Sequence, residues 1–321
     1  MRLLHRLILL GLMIQLLPCA TCAGQDSGLI GLTLDRQLPR EHIEFAGTLP
    51  QAIETFAALT GVRMQVDRSV YDVLPWGDRT TFRATFQHQT FRQALTAICR
   101  KLGLEYDLSN QAIELRPLPA LRRMGRRCTV EELQALDLLG RISLQAAELH
   151  TSAARLLTAI DTRLAGSPFA IQNRAFAPDD PAVVTIARNS TLLQALDEIS
   201  LQTNATWYLS ARSIIVLKKV DQIRMQLATR VTVRFDGKDV SEVLLDLSER
   251  SGIEMEIEPG AIRKIDPTFR TIRLELENAS VEQALQSICG FTGLAFAVSD
   301  HGVRIWYAMP PATQPATQVT N

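Results

Sequence analysis

The stretch from Thr271 to Ala308, TIRLELENASVEQALQSICGFTGLAFAVSDHGVRIWYA, decides the fold class. It begins with the alternation of a strand, continues as an amphipathic helix that ends at Gly293, and finishes as two further alternating strands. At an offset of 190 residues, Thr81 to Leu118 aligns with it without a gap, so that Leu95 matches Leu285. The stretch is therefore an internal repeat, and its shared positions are those of a packing unit.

A third, more diverged copy aligns at an offset of 89 residues, with the same QAL triplet at 194–196 and 283–285. In the first and last copies, four further features precede this stretch. In chain order they are a strand, a glycine, a helix that ends at another glycine, and a short strand. This order predicts an α+β fold of three tandem two-helix modules, each with the order β-α-β-β-α-β-β and small mixed sheets.

The predicted segments follow from these alignments. They are a signal peptide (1–24), module 1 (41–118), a helical linker (119–140) capped by Thr129, a diverged module 2 (141–219), module 3 (230–308) and a disordered tail (309–321). In module 1 we expect the second helix over Phe91 to Leu102, with Thr90 as its N-cap, and a strand from about Thr80 that pairs with the strand of Val62 to Val66.

Four local predictions concern single positions or short segments. Gly237 is predicted to be a turn before the first helix of module 3, where one residue has been added relative to module 1. Asn204 replaces the glycine that ends the second helix and is predicted to be left-handed. The segment 142–147 is predicted either as the opening strand of module 2 or as a continuation of the helix from Glu131. The sequons at Asn189, Asn204 and Asn278 are predicted to be helix caps and not glycan sites.

The N-terminal residues have the three-part layout of a secretory signal peptide. Arg2 and Arg6 precede an apolar run that is too short to span a bilayer, and small residues follow, with cleavage expected near Ala23 or Gly24. A lipoprotein signal at Cys19 is the alternative, but Pro18 stands where a small residue is expected. We therefore predict export to the periplasm or cell envelope, with no stable membrane span.

Removal of the signal leaves Cys99, Cys128 and Cys289, an odd number that excludes a fully paired disulfide framework. The first and last of these occupy the same apolar helix phase in two copies, so they are predicted to be small buried side chains.

Composition and motifs give no indication of catalysis. The 34 basic and 34 acidic side chains balance, and the five histidines are scattered. There is no HExxH, GxSxG, paired-cysteine zinc pattern or phosphate-cradling glycine motif, so we expect no catalytic, cofactor or metal site. The arginines at 116, 122, 123, 126 and 127 lack interleaved aromatic residues, which argues against nucleic acid; they are predicted to form a solvated linker, facing an acidic module or an anionic lipid surface.

The last hairpin carries the residues that the copies do not share. In GVRIWYA, Val303 and Ile305 have one phase, and Arg304 and Trp306 have the other. Trp306 and Arg304, with His301 in the preceding turn, are our candidates for partner binding, because aromatic and arginine side chains often anchor protein interfaces. The alternative is that Trp306 covers the junction with a neighbouring module.

The ordered turn glycines, the terminal hairpin and the ALxxL...GL signature at 94–104 and 284–294 resemble the secretin and TonB-dependent-receptor short N-terminal (STN) domain family. The resemblance implies a periplasmic docking module for a protein partner, without catalytic residues; in that family the module precedes an outer-membrane barrel or ring, and we expect none of its own in this protein. We therefore predict an envelope docking protein that uses sheet edges and the outer hairpin face and can self-associate. The alternatives are an enzyme or ligand-binding protein with a site between modules, and a structural spacer.

Overall fold

The computed structural model describes residues 26–39, 42–109, 112–144 and 149–308. The predicted signal peptide, the lipidation candidate Cys19 and the predicted tail lie outside these residues. The fold is α+β, with helices packed against small antiparallel and mixed sheets. The chain divides into two compact units. The first contains the described residues up to Asp67, Thr81–Cys99 and Glu105–Arg116; the second contains Arg68–Thr80, Arg100–Leu104 and the described residues from Pro117 onward.

The N-terminal third of the chain forms two small sheets. Its elements are α1 (Asp26–Leu34), β1 (His42–Thr48), α2 (Leu49–Thr60), β2 (Met64–Val66), α3 (Arg68–Val73), a 3-10 turn (Gly77–Arg79), β3 (Thr81–Gln87), α4 (Phe91–Leu102), β4 (Leu104–Leu108) and β5 (Ile113–Pro117). One sheet pairs β1 with β3, and the other has the order β2-β5-β4 with β2 parallel to β5. The predicted pairing of the strand near Thr80 with β2 is therefore wrong, because α3 and the 3-10 turn carry β3 back to β1.

Helix α4 confirms the predicted helix from Phe91 to Leu102. The amide of Thr90 donates to Gln93 Oε1 at 3.0 Å, and the amide of Gln93 donates to Thr90 Oγ1 at 3.2 Å, which is a capping box. Gly103 follows at a φ of 64°, a left-handed conformation that favours glycine.

The middle of the chain repeats this sheet order. Its elements are α5 (Pro119–Arg122), α6 (Val130–Leu139), β6 (Leu149–Ser152), α7 (Ala153–Leu164), β7 (Ala170–Asn173), β8 (Val183–Ile186), α8 (Leu192–Gln202), β9 (Ala205–Ser210) and β10 (Ser213–Lys218). The sheets are β6-β8 and β7-β10-β9.

Two predictions for the middle segment are corrected. Helix α6 ends at Leu139, Ser143 forms an isolated bridge with Thr191, and the strand that pairs with β8 begins at Leu149. The helical alternative for 142–147 is thus wrong up to residue 144, and 145–148 lie outside the described residues. Asn204 is not left-handed. Helix α8 ends at Gln202, and Thr203, in an extended conformation, donates from its amide and its hydroxyl to the carbonyl of Ile199.

The C-terminal third contains α9 (Lys219–Leu227), β11 (Arg230–Asp239), α10 (Val240–Ser251), β12 (Met255–Ile257), α11 (Ala261–Lys264), a 3-10 turn (Pro267–Phe269), β13 (Thr271–Ser280), α12 (Val281–Thr292), β14 (Leu294–Val298) and β15 (Val303–Tyr307). The sheets are β11-β13 and β12-β15-β14. The predicted inward face of α12, with Leu285 fully buried, is confirmed. Gly237 lies inside β11 at a register shift, with a φ of 73°, so the added residue forms a β-bulge and not a turn.

A left-handed residue lies two positions before the N-cap residue of each of the helices α4, α8 and α12. His88, Asn189 and Asn278 have φ values of 48°, 60° and 51°. The hydroxyls of Thr191 and Ser280 make the caps of α8 and α12, so the prediction that Asn189 and Asn278 are caps is wrong. All three segments share one strand order; the division into three modules stays a prediction.

The arginines after β5 are only partly solvated: Arg122, Arg126 and Arg127 are exposed, but several arginines of the segment also make hydrogen bonds within the chain. Arg126 donates to both carboxylate oxygens of Glu132, at 3.0 Å and 2.6 Å, and Glu132 is fully buried. Arg127 donates to the carbonyl of Leu74, and Arg123 donates to the carbonyl of Trp207. Charged groups without such partners would be costly to bury, and here the carboxylate and main-chain oxygens supply them. The predicted N-cap Thr129 is confirmed, in a capping box with Glu132.

Candidate functional site

Two of the three candidate residues lie together on the outer face of the C-terminal sheet. On β15, Val303 and Ile305 are buried and Arg304 is exposed, while Trp306 is half-buried. Arg304 lies opposite Ala297 of β14, and Trp306 lies opposite Ala295. We call Ala297, Arg304 and Trp306 the docking face. The predicted alternation along β15 is confirmed.

The equivalent face of the middle sheet is covered by the chain itself. Tyr208, Ile215 and Leu217 align with Ala297, Arg304 and Trp306 at the offset of 89 residues. All three are buried in one cluster, against which Met124 packs. Next to Met124, the guanidinium of Arg123 donates to the carbonyl of Trp207 at 3.1 Å. This sheet face therefore accepts a short segment with one large apolar side chain.

The third candidate, His301, lies in the turn between β14 and β15. Its side chain is 83% exposed, and its Nε2 lies 3.6 Å from a carboxylate oxygen of Asp300. Both residues line a cleft of about 300 Å³ in the second unit. The structure thus places His301 at the cleft, whereas Trp306 and Arg304 do not line it.

Helix α9 supplies one side of the cleft, with buried glutamines. The exposed fractions of Gln222 and Gln226 are 4% and 6%, and Thr206 of β9, which also lines the cleft, is 4% exposed. Gln222 Nε2 donates to the carbonyl of Arg123 at 2.5 Å, which fixes the orientation of the amide. Within the described part of the chain, Gln222 Oε1 and Thr206 Oγ1 have no hydrogen-bond partner. A buried polar atom without a partner costs about 1–3 kcal/mol, so these two atoms require an explanation.

The charges that line the cleft come from different segments. The basic residues are Arg123, directly after α5, and Lys219, the first residue of α9, and the acidic residues Glu254 and Asp300 come from the C-terminal third. Burial lowers the pKa of the Arg123 guanidinium from its usual value, and the nearby carboxylate of Asp197 acts in the opposite direction. Arginine stays charged despite such a shift. The cleft therefore presents both signs of charge beside unpaired acceptors.

The sequence contains a signal for this cleft that motif analysis misses. Gln222 and Gln226 are four residues apart and share the buried side of α9 with Ile223 and Leu227. Polar side chains at an apolar helix phase are unusual, because they must find partners inside the protein. Thr206 lies within the otherwise apolar strand of Trp207 and Leu209.

The other chemical groups have local structural roles. Cys99, Cys128 and Cys289 are free and buried, as predicted for the first and last, and burial raises the pKa of their thiols to about 12, 12 and 11. His42 bonds to Glu44 and Gln87 across β1 and β3, and His150 bonds to Thr185. Among the described residues, no three His, Cys, Asp or Glu side chains converge to hold a metal ion.

Two further findings concern membrane-spanning helices and similarity to known proteins. Within the described ranges, every helix is too short or too polar to cross a bilayer. No protein-family model matches the chain, and no curated protein or solved structure is detectably similar to it, so the resemblance to the STN domains stays a prediction.

Proposed function

We propose that the protein is an exported cell-envelope docking protein that binds a protein partner on the docking face, by binding alone and without catalysis. One observation carries the proposal: the equivalent face of the middle sheet buries Tyr208, Ile215 and Leu217 under Met124, while the docking face leaves Ala297 and Arg304 exposed. A tryptophan and an arginine on one small sheet face are the residue types that most often dominate the binding energy of an interface.

The middle sheet also indicates what the partner presents. Met124, two residues after the short helix α5, packs against this sheet face, and the Tyr208 hydroxyl donates to the Met225 sulfur of α9 at 3.9 Å. By the same geometry, the docking face takes a short segment with one large apolar side chain over Trp306. Arg304 adds a preference for an acidic neighbour in that segment, because the exposed guanidinium has a carboxylate-matching fork of donors.

Site-specific photo-crosslinking in cell envelopes tests the docking face. A photoreactive residue at position 297 should crosslink one defined protein, and Trp306→Ala should abolish that product. Leu201→Ala is the matched control, because Leu201 is a large exposed apolar residue on α8 and not part of this hairpin. An unchanged crosslinked product in Trp306→Ala would contradict the proposal. A product of twice the chain mass would identify the partner as a second copy.

Export is tested separately by sequencing the N-terminus of the protein recovered from cells. We expect a mature chain that begins near Ala23 or Gly24. An intact Met1 would refute export through a cleaved signal, and a lipid-modified N-terminus at Cys19 would establish the lipoprotein alternative.

A further inference from the structure

We propose that the cleft beside α9 binds a small zwitterion of the amino acid or dipeptide class. The docking face is a separate surface, so this inference does not depend on the proposed function. The first argument is the pair of unpaired acceptors, Gln222 Oε1 and Thr206 Oγ1. Both are shielded from bulk water, in side chains that line the cleft, and both match the donors of an ammonium group. Glu254 and Asp300 add the negative charge that an ammonium requires.

The second argument is the cationic part of the cleft. The cationic residues Arg123 and Lys219 belong to its lining, and no described carboxylate lies within 4.0 Å of the Lys219 ammonium. Lys219 is the first residue of α9, a helix of nine residues whose N-cap, Lys218, makes no side-chain capping bond. Positive side chains beside a helix N-terminus favour a carboxylate.

Size and charge together narrow the ligand class. A volume of about 300 Å³ is at the lower end of the range for small-molecule sites. Two carboxylates in the lining disfavour polyanions such as nucleotides, and two cations disfavour polyamines. A molecule with one ammonium and one carboxylate matches both groups of side chains.

Calorimetric titration with the dipeptide Ala-Ala tests the inference. We expect binding that weakens roughly tenfold for N-acetyl-Ala-Ala, which lacks the ammonium, and roughly tenfold for Ala-Ala amide, which lacks the carboxylate, one charge-assisted hydrogen bond being lost in each case. If Ala-Ala amide binds as tightly as Ala-Ala, the cleft takes only the N-terminus of a polypeptide, and the proposal of a zwitterionic ligand is overturned. No heat of binding at millimolar Ala-Ala would also overturn it.

Variants of the cleft residues test whether Ala-Ala binds in the cleft. Gln222→Met and Lys219→Met should each weaken Ala-Ala binding about tenfold, because each removes one charge-assisted contact. Gln65→Met, an exposed glutamine of β2, is the matched control and should bind as the wild type does. If circular dichroism shows that Gln222→Met does not fold, the test rests on Lys219→Met alone. Lys219 is only half-buried, so its replacement should leave the fold intact. Trp306→Ala should keep full Ala-Ala binding, so failure of the docking face and failure of the cleft are distinguishable.

Discussion

Replacing Glu132 with glutamine should destabilise the second unit by about 1–4 kcal/mol at neutral pH. The buried carboxylate accepts four hydrogen bonds: two from Arg126, one from the amide of Thr129 at 2.8 Å and one from the amide of Ala211 at 2.9 Å. Glutamine has one acceptor oxygen, so one of the two amides loses its partner, at about 1–3 kcal/mol. The Arg126 side chain is 45% exposed, so its lost ion pair adds only about 0–1 kcal/mol.

The pH dependence of this effect has a definite sign. Burial raises the pKa of Glu132, but Arg126 and the amides of Thr129 and Ala211 outweigh it, so the folded pKa lies below the ordinary 4.5. A depressed folded pKa means that the carboxylate stabilises the fold fully above about pH 4.5, and that this contribution is lost as pH falls through the folded value. The stability difference between wild type and Glu132→Gln should therefore shrink below that pH.

Urea unfolding followed by tryptophan fluorescence measures both effects, because Trp207 is buried in the same unit. Glu131→Gln is the matched control: it removes the same charge from the same first turn of α6, at an exposed position. The reasoning is refuted if the two variants lose equal stability at pH 7, or if the loss in Glu132→Gln does not change in acid.

Two further predictions concern the core. Leu285→Ala removes a fully buried side chain of α12 and should lower the free energy of unfolding by about 2–5 kcal/mol in urea titrations; a loss below about 1 kcal/mol would mean that the helix face is wrongly assigned. The thiols, with pKa values of about 11–12, should react slowly with Ellman's reagent at pH 8 in the native protein and rapidly in urea. Rapid labelling before unfolding would contradict their burial.

The helices were predictable because several local signals coincide at their ends. For α4 and α12, a hydroxyl cap, a glutamine three residues later, an apolar stripe and a terminal glycine all indicate the same bounds. Strand partners were not predictable in this way. The alternation of β3 fits β1 and β2 equally well, and the choice depends on the path of α3 between them. The role of Gly237 was not predictable from the sequence either, because a left-handed glycine occurs both in turns and in β-bulges.

The docking face and the cleft also differ in how far the sequence alone predicts them. The inner and outer faces of β15 could be predicted from its sequence, because successive side chains of a strand point to opposite faces of the sheet. The cleft is built from Thr206, α9 and the last hairpin turn, which are far apart in sequence, so no spacing motif could identify it. Its local signs were the pair of glutamines at the buried phase of α9 and the threonine within β9. The solvation of the arginine-rich segment was predictable from its composition, but its partners, a buried glutamate and main-chain carbonyls, were not.

The left-handed residue before each second helix provides the last prediction. Asn278 has a φ of 51°, and its main chain is held by the hydroxyl of Thr232 at 3.1 Å and by a guanidinium nitrogen of Arg230 at 2.8 Å. These bonds use backbone atoms of Asn278, so substitution keeps them and tests the φ angle alone. Asn278→Val should cost about 1–2 kcal/mol, because a left-handed conformation brings Cβ against the carbonyl oxygen, whereas Asn278→Gly removes that contact and should be close to neutral.

Glu275→Val is the matched control for Asn278→Val, because Glu275 is exposed on the same strand at a negative φ. Its ion pair with Arg234, at 4.0 Å, is exposed and contributes little. Since β-branched residues suit strands, valine there should be neutral or stabilising. Equal costs at 275 and 278 would show that β13 does not need the left-handed conformation of residue 278. A larger cost at 278 would support the reasoning that this conformation directs the chain into the cap at Ser280, and the same ranking should then hold at Asn189 before Thr191.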